Sequence, residues 1–295
     1  MKSERKIFMA FILNLSFSVF EVVGGILTGS VAIISDSIHD LGDAVSIGIS
    51  YLLEKKSQKQ PDKKYTYGYT RYSVFGSVIS TLILLSGSLM VIFNGINRLI
   101  HPITINYNGM IILAVIGVCV NTCAVFFTRN PHSLNQKSVN LHMLEDVLGW
   151  VVVLIGAFIM KFTELTVIDP ILSIGVSVFI LIKASQNLKE SMGIFLEKAP
   201  NNINIDDVKE CVTNIKGVSD VHHIHIWSMD GQNSFATMHV VTNNLSHEIK
   251  EKIREELYRC GIAHVTLEQE SENEQCHNQH CNIEFKTDST HHHHH

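Results

Sequence analysis

The sequence predicts an α-helical membrane protein with six crossings, followed by a small soluble α+β domain. Three observations carry that expectation. Six windows of about 20 residues are apolar enough to cross the roughly 30 Å core of a bilayer. Of the 295 residues, 46% are hydrophobic and 17% charged, with a mean hydropathy of +0.18, too apolar for an ordinary soluble chain and too polar for one embedded throughout. From about Pro200 the pattern changes to short amphipathic helices and alternating strands. The formal charge of -5 implies neither nucleic acid nor a broad anionic surface as a partner.

The apolar windows lie near residues 8–28, 31–53, 73–97, 108–128, 141–161 and 167–187. The first follows Lys2, Arg5 and Lys6 like a signal peptide, but no small-residue cleavage site is evident and the second window begins just after Gly29-Ser30, so it reads as a retained anchor. Lys55, Lys56, Lys59, Lys63, Lys64 and Arg71 sit between windows two and three, Arg129 and Lys137 between four and five, and Lys183 and Lys189 around the end of six. The other side offers mainly Arg98 and Lys161, so both termini are expected in the cytoplasm, with the protein in the cell (inner) membrane. Residues 1–199 form the expected transmembrane domain.

Residues 200–270 form the expected cytoplasmic domain. Ile203 to Ile215 and Ser246 to Cys260 read as helices; Val218 to Trp227, Ser234 to Thr242 and Ala263 to Glu270 read as strands. This αββαβ order suits a ferredoxin-like domain. Residues 271–290 are a polar Cys/His tail without period, and His291 to His295 look like an expression tag, set aside from the histidine argument. The six cysteines lack the density of a secreted disulfide scaffold, so reduced thiols facing a cytoplasm are expected.

Inside the apolar part, ionisable residues cluster. Asp36, His39, Asp40 and Asp43 fall at i, i+3, i+4 and i+7 of the second window, and His142, Glu145 and Asp146 repeat the idea in the fifth. A four-residue step puts imidazole and carboxylate on one helix face. Two such helices supply two nitrogens and two oxygens, a tetrahedral set for Zn²⁺ or, less specifically, Cd²⁺ or Co²⁺. A charge at mid-bilayer costs at least roughly 2.5–3.5 kcal/mol unless compensated, so His39, Asp43, His142 and Asp146 read as an intramembrane metal site. Asp36, Asp40 and Glu145 read as supporting, entry-path or proton-carrying groups. Ligation needs neutral imidazole and ionised carboxylate, so metal and protons compete.

The blocks Gly29-Ser30-Val31-Ala32-Ile33, Asp36-Ser37-Ile38-His39-Asp40-Leu41-Gly42-Asp43 and Asn140-Leu141-His142-Met143-Leu144-Glu145-Asp146, with six spans and a C-terminal αββαβ domain, resemble the cation diffusion facilitator family. The paired HxxxD motifs are similar to its zinc-transporting subgroup. The resemblance implies a homodimer that exports cytoplasmic Zn²⁺ against protons by alternating access. It further implies that His222, His239, Glu268 and Glu270 bind a regulatory cytoplasmic metal; strand alternation alone does not choose among His222, His223 and His225, and it groups His222 with Ile224 and Ile226. Some members carry another metal site with histidines near Tyr65 to Arg71, and the tyrosines here predict that site to be absent or weakened.

Cys276-His277-Asn278-Gln279-His280-Cys281 gathers two thiols and two imidazoles, so Cys276 and Cys281 are candidate ligands completing the cytoplasmic site. Cys119 and Cys123 read as apolar packing, and Asn14, Glu21 and Asp169 as unspecific pathway or packing groups. Two rival readings are a membrane metalloenzyme and a metal sensor without flux. The first is disfavoured because four ligands close the metal shell and no HExxH occurs, so no enzyme is expected; proteoliposome flux separates the second.

Overall fold

Six long helices make up the N-terminal unit, Met1–Leu196: α1 (Ser3–Thr28), α2 (Val31–Ser57), α3 (Arg71–Ile100), α4 (Tyr107–Thr128), α5 (Leu134–Thr163) and α6 (Ile168–Phe195). The computed structural model describes residues 3–28, 31–101, 107–163, 167–243, 246–272 and 274, with only the backbone described at 24–28, 31–39, 107–110, 160–161 and 169. Among the described residues, five helices, α1 and α3 to α6, carry stretches long and apolar enough to cross a membrane. Within its described part α2 carries Asp40, Asp43, Glu54, Lys55 and Lys56, and those charges lower its hydropathy.

Several helices outrun their apolar windows, for a reason that hydropathy does not register. α5 starts at Leu134, and its first turns hold fully buried Asn135, Gln136 and Ser138. Asn135 Nδ2 donates to the Ser50 carbonyl at 2.8 Å and to Glu54 Oε2 at 3.3 Å, while Gln136 Nε2 donates to the Thr128 carbonyl at 3.2 Å. Near the end of α6, Asn187 Nδ2 donates to Ser77 Oγ at 3.1 Å and Thr81 Oγ1 at 2.9 Å, and Thr81 bonds Ser138 at 3.0 Å. Polar side chains that hydrogen-bond between helices act as interhelical glue without widening the apolar count. Large apolar side chains such as Phe75, Leu89, Met90, Phe93, Phe126 and Phe158 point outward, the reverse of a soluble bundle.

Helix contacts are closest where a side chain is missing. A Cβ on Gly117 of α4 would come within 2.4 Å of the Trp150 ring, so α4 and α5 approach only because of that glycine. Around them Ile7 and Ala10 of α1, Ile47 of α2, Ala124 of α4, and Val139 and Met143 of α5 form one buried cluster. Asp43 and His142 stand one turn and one residue from Ile47 and Met143, so the polar cluster is seated on this apolar core. Cys119 and Cys123 are exposed on α4 rather than packed inside; α4 is apolar all round, which hides its inward face.

The second unit, Glu197–His295, runs α7 (Ile205–Thr213), β1 (Asp220–Ser228), β2 (Ser234–Val241), α8 (His247–Arg259) and β3 (Ile262–Glu270), the expected αββαβ order. Asn204 caps α7 by accepting from Asp206 N, and Ser246 caps α8 by accepting from Ile249 N. The sheet order is β1-β2-β3, with β1 antiparallel and β3 parallel to β2; α8 supplies the crossover that a parallel pair needs. Val208 and Val212 of α7 and Ile253 and Leu257 of α8 bury i, i+4 pairs against Val221, Ile226, Ala236, Met238, Val240 and Ile262, leaving the other sheet face free of these helices.

The expected alternation of β1 is corrected by a bulge. His222 pairs with His239 but His225 with Thr237, so three steps on β1 oppose two on β2, and His223 takes the extra place with φ of 51°. The phase inverts across it: Val221 and Ile226 are in the core with Ile224 packed against it, whereas His222 lies on the opposite face beside His239. His222 therefore does not share a face with Ile224 and Ile226.

Candidate metal centres

Asp43 of α2 and His142 and Asp146 of α5 bring one ligating atom each within 4.8 Å of one another. Asp43 and His142 are buried, at 7% and 6% exposure. His142 Nε2 lies 3.5 Å from Asp43 Oδ1 and among the described residues has no hydrogen-bond partner. Two ligands on one tetrahedral Zn²⁺ stand about 3.3 Å apart, given bonds near 2.0 Å, so this spacing fits a shared ion better than a direct hydrogen bond. The backbone of His39 lies in α2 one turn before Asp43; its side chain, like that of Asp36, lies outside the described residues.

The neighbours of the cluster are specific. Glu145, one residue before Asp146, accepts from Ser88 Oγ of α3 at 2.9 Å, which ties it to another helix. Asn14 of α1 donates from Nδ2 to Asp146 Oδ2 at 3.3 Å, a contact that sequence reasoning left undifferentiated. The available signal was a polar residue on the one buried stripe of α1, with Ile7, Ala10, Phe17, Ser18 and Glu21.

On the outer sheet face, His222, His239 and Glu270 form a second cluster. His239 Nδ1 is 2.6 Å from Glu270 Oε1 and its Nε2 is 3.2 Å from Glu268 Oε2; His222 Nε2 is 2.9 Å from Glu270 Oε2. The last contact lacks hydrogen-bond alignment, since His222 Nε2 has no hydrogen-bond partner among the described residues. Pairing of His239 with both His222 and Glu268 follows from register. Glu270 is buried while Glu268 is 70% exposed at its side chain, so three groups converge and Glu268 stands at the rim. His223, put aside by the bulge, stacks on His239 with ring centroids 4.6 Å apart, and burial pushes the His225 imidazole below its usual range, helped by His223. Cys276 and Cys281 lie outside the described residues.

The loop between α2 and α3 is aromatic. Tyr65 and Tyr69 have centroids 4.4 Å apart and Tyr69 and Tyr72 5.8 Å. The Tyr69 hydroxyl donates to Asp62 Oδ2 at 2.6 Å, and the amides of Tyr65 and Lys64 donate to Asp62 Oδ1. These bonds hold the Asp62 carboxyl below its usual range and push the Tyr69 phenol up to about 12. The carboxylate at this position is thus engaged in shaping a turn.

A multi-helix membrane unit with a buried nitrogen and oxygen cluster, joined to a soluble unit with another, defines a class of metal-handling membrane proteins. Residues 7–196 match the cation efflux transmembrane domain and residues 200–272 the cation efflux protein cytoplasmic domain. The chain belongs to the cation diffusion facilitator family of cation efflux proteins, and is an integral multi-pass membrane transporter of divalent metal cations rather than an enzyme. It is 30% identical to the cadmium, cobalt and zinc/H(+)-K(+) antiporter of Bacillus subtilis, over 99% of this chain and 97% of that protein. It is 32% identical to the zinc transporter ZitB of Yersinia pseudotuberculosis, over 99% and 96%, and 30% identical to the metal cation efflux system protein CzcD of Cupriavidus metallidurans, over 90% and 86%.

Proposed function

We propose that this chain exports cytoplasmic Zn²⁺ in exchange for protons by alternating access, as a homodimer of six-span protomers with cytoplasmic termini. The observation that carries the reading is the convergence of Asp43, His142 and Asp146 from two helices, with His39 completing the set. Zn²⁺ is favoured as substrate by mixed nitrogen and oxygen donors and by the names of the Bacillus and Yersinia relatives, with Cd²⁺ and Co²⁺ as further cargo. Because ligation requires neutral imidazole and ionised carboxylate, release toward a more acidic side lets protons take the cation's place. Potassium in the Bacillus relative's name makes it a second counter-ion to test.

In this reading α2 completes the membrane domain, residues 1–199, its carboxylates facing helices rather than lipid. The cytoplasmic domain, residues 200–270, would hold a regulatory metal through His222, His239 and Glu270 with Glu268 at the rim, and Cys276 and Cys281 of the tail closing the shell. The close, unaligned approach of His222 Nε2 to Glu270 fits a donor set made for an ion. A bound metal there supplies a fixed positive charge that draws these groups together and stabilises the dimer-competent domain.

In proteoliposomes holding a Zn²⁺-sensitive dye under an imposed pH gradient, the wild type moves Zn²⁺ toward the acidic side. Asp43→Ala and Asp146→Ala each abolish that flux. Retained flux in both variants sinks the proposal.

A further inference from the structure

Asn14 of α1 is bonded to a member of the membrane cluster. It is 2% exposed. One N–H of its amide is given to Asp146 Oδ2 at 3.3 Å. Its own Oδ1 is buried and, among the described residues, has no hydrogen-bond partner. The Oδ1 atoms of Asn121, Asn135 and Asn187 share that state; what sets Asn14 apart is that its amide is bonded to a member of the cluster, which puts a carbonyl-type oxygen with free acceptor capacity beside the candidate ligands.

Asn14 is also fixed in place. Ser18 Oγ donates to its backbone carbonyl at 2.9 Å. One turn on, Phe17 meets Trp150 edge-on, 5.5 Å between centroids, and Trp150 lies in the space left by Gly117. Phe17 and Trp150 follow Asn14 and Asp146 by three and four residues, so the aromatic contact and the hydrogen bond set the same register between α1 and α5.

We propose that Asn14 is a positioning and selectivity residue of the transport site, an inference that rests on the reading of Asp43, His142 and Asp146 as cation ligands. Its N–H holds one oxygen of Asp146 and leaves the other for the cation. Its Oδ1 is an extra neutral donor beyond the tetrahedral set. Zn²⁺ is satisfied by four ligands, whereas a larger cation with a wider shell gains from a further carbonyl-type oxygen; Cd²⁺ is the probe for that difference. Asn14 therefore broadens the range of cations the site accepts.

The test compares Zn²⁺ and Cd²⁺ transport by full-length wild type, Asn14→Leu and Asp146→Ala in proteoliposomes. Asn14→Leu keeps the side-chain shape and removes both hydrogen-bonding functions. The expected result is a KM for Zn²⁺ raised about tenfold, the usual scale for loss of a ligand's partner, with kcat little changed and a larger rise for Cd²⁺, so that the Zn²⁺:Cd²⁺ preference shifts. A merely structural role would lower kcat or the folded yield and leave that ratio unmoved, and this outcome overturns the proposal. Wild-type KM for both metals in Asn14→Leu, with Asp146→Ala inactive, also overturns it while leaving the transport site standing. An active Asp146→Ala removes the transport site itself. If Asn14→Leu does not insert, Asn14→Ala carries the same expectations with a smaller side chain that suits a helix.

Discussion

Cys260 shows how one side chain's surroundings govern its chemistry. Its Sγ stands 3.5 Å from Cys211 Sγ, and burial together with that thiol neighbour pushes its pKa from an ordinary 9.0 up to about 11. The folded domain thus keeps a proton that the unfolded chain would release between those values, so this group's stabilisation is complete below about 9 and is lost as pH rises through about 11. Alkylation of Cys260 in the native protein, followed by mass spectrometry, should stay slow at about pH 8 and accelerate only toward about pH 11. Fast labelling at neutral pH would show that the thiol is not held in this way.

At the scale of helices and strands, single small residues and single insertions decide what can touch. Gly117→Ala puts a methyl group into the Trp150 ring, and overpacking of this kind costs about 1–3 kcal/mol. The variant should lower the thermal midpoint in detergent and loosen α4 from α5; an unchanged melt would mean that Trp150 moves aside freely. These same details mark the limits of sequence reading. Long apolar helices, the αββαβ order and the i, i+4 pairing of His142 with Asp146 were legible because each is a periodic signal. The start of α5 was not, since Asn135, Gln136 and Ser138 look soluble until their partners on other helices are known. The bulge at His223 left a trace, since the adjacent His222 and His223 put Val221 out of phase with Ile224 and Ile226, but only the pairing with β2 shows which residue is the extra one, and the partner of Asn14 depends on how two helices meet.

At the scale of the whole molecule, two different solvents act on one chain, and each unit gathers nitrogen and oxygen donors that could hold a metal ion. The membrane unit shows lipid its apolar side chains and turns carboxylates inward, while the soluble unit puts its imidazoles on the sheet face away from α7 and α8. If His222, His239 and Glu270 hold a regulatory ion, stripping metal with a chelator should lower the melting temperature of the soluble part in the intact protein. Zn²⁺ at about a hundredfold excess over its Kd should restore about 2.7 kcal/mol. The restoration should vanish in a His222→Ala, Glu270→Gln variant; a shift of the same size in that variant would assign the ion elsewhere.

The left-handed turn at His223 lets β1 carry one residue more than its partner without turning the strand over. Because the bulge absorbs that residue, removing His223 would leave His222 opposite His239 and His225 opposite Thr237, with Val221 still in oil and His222 still in water, whereas the same removal from a regular stretch of strand would exchange the faces of everything before it. Equivalence between the histidines of relatives is therefore a matter of spatial phase rather than of order along the chain.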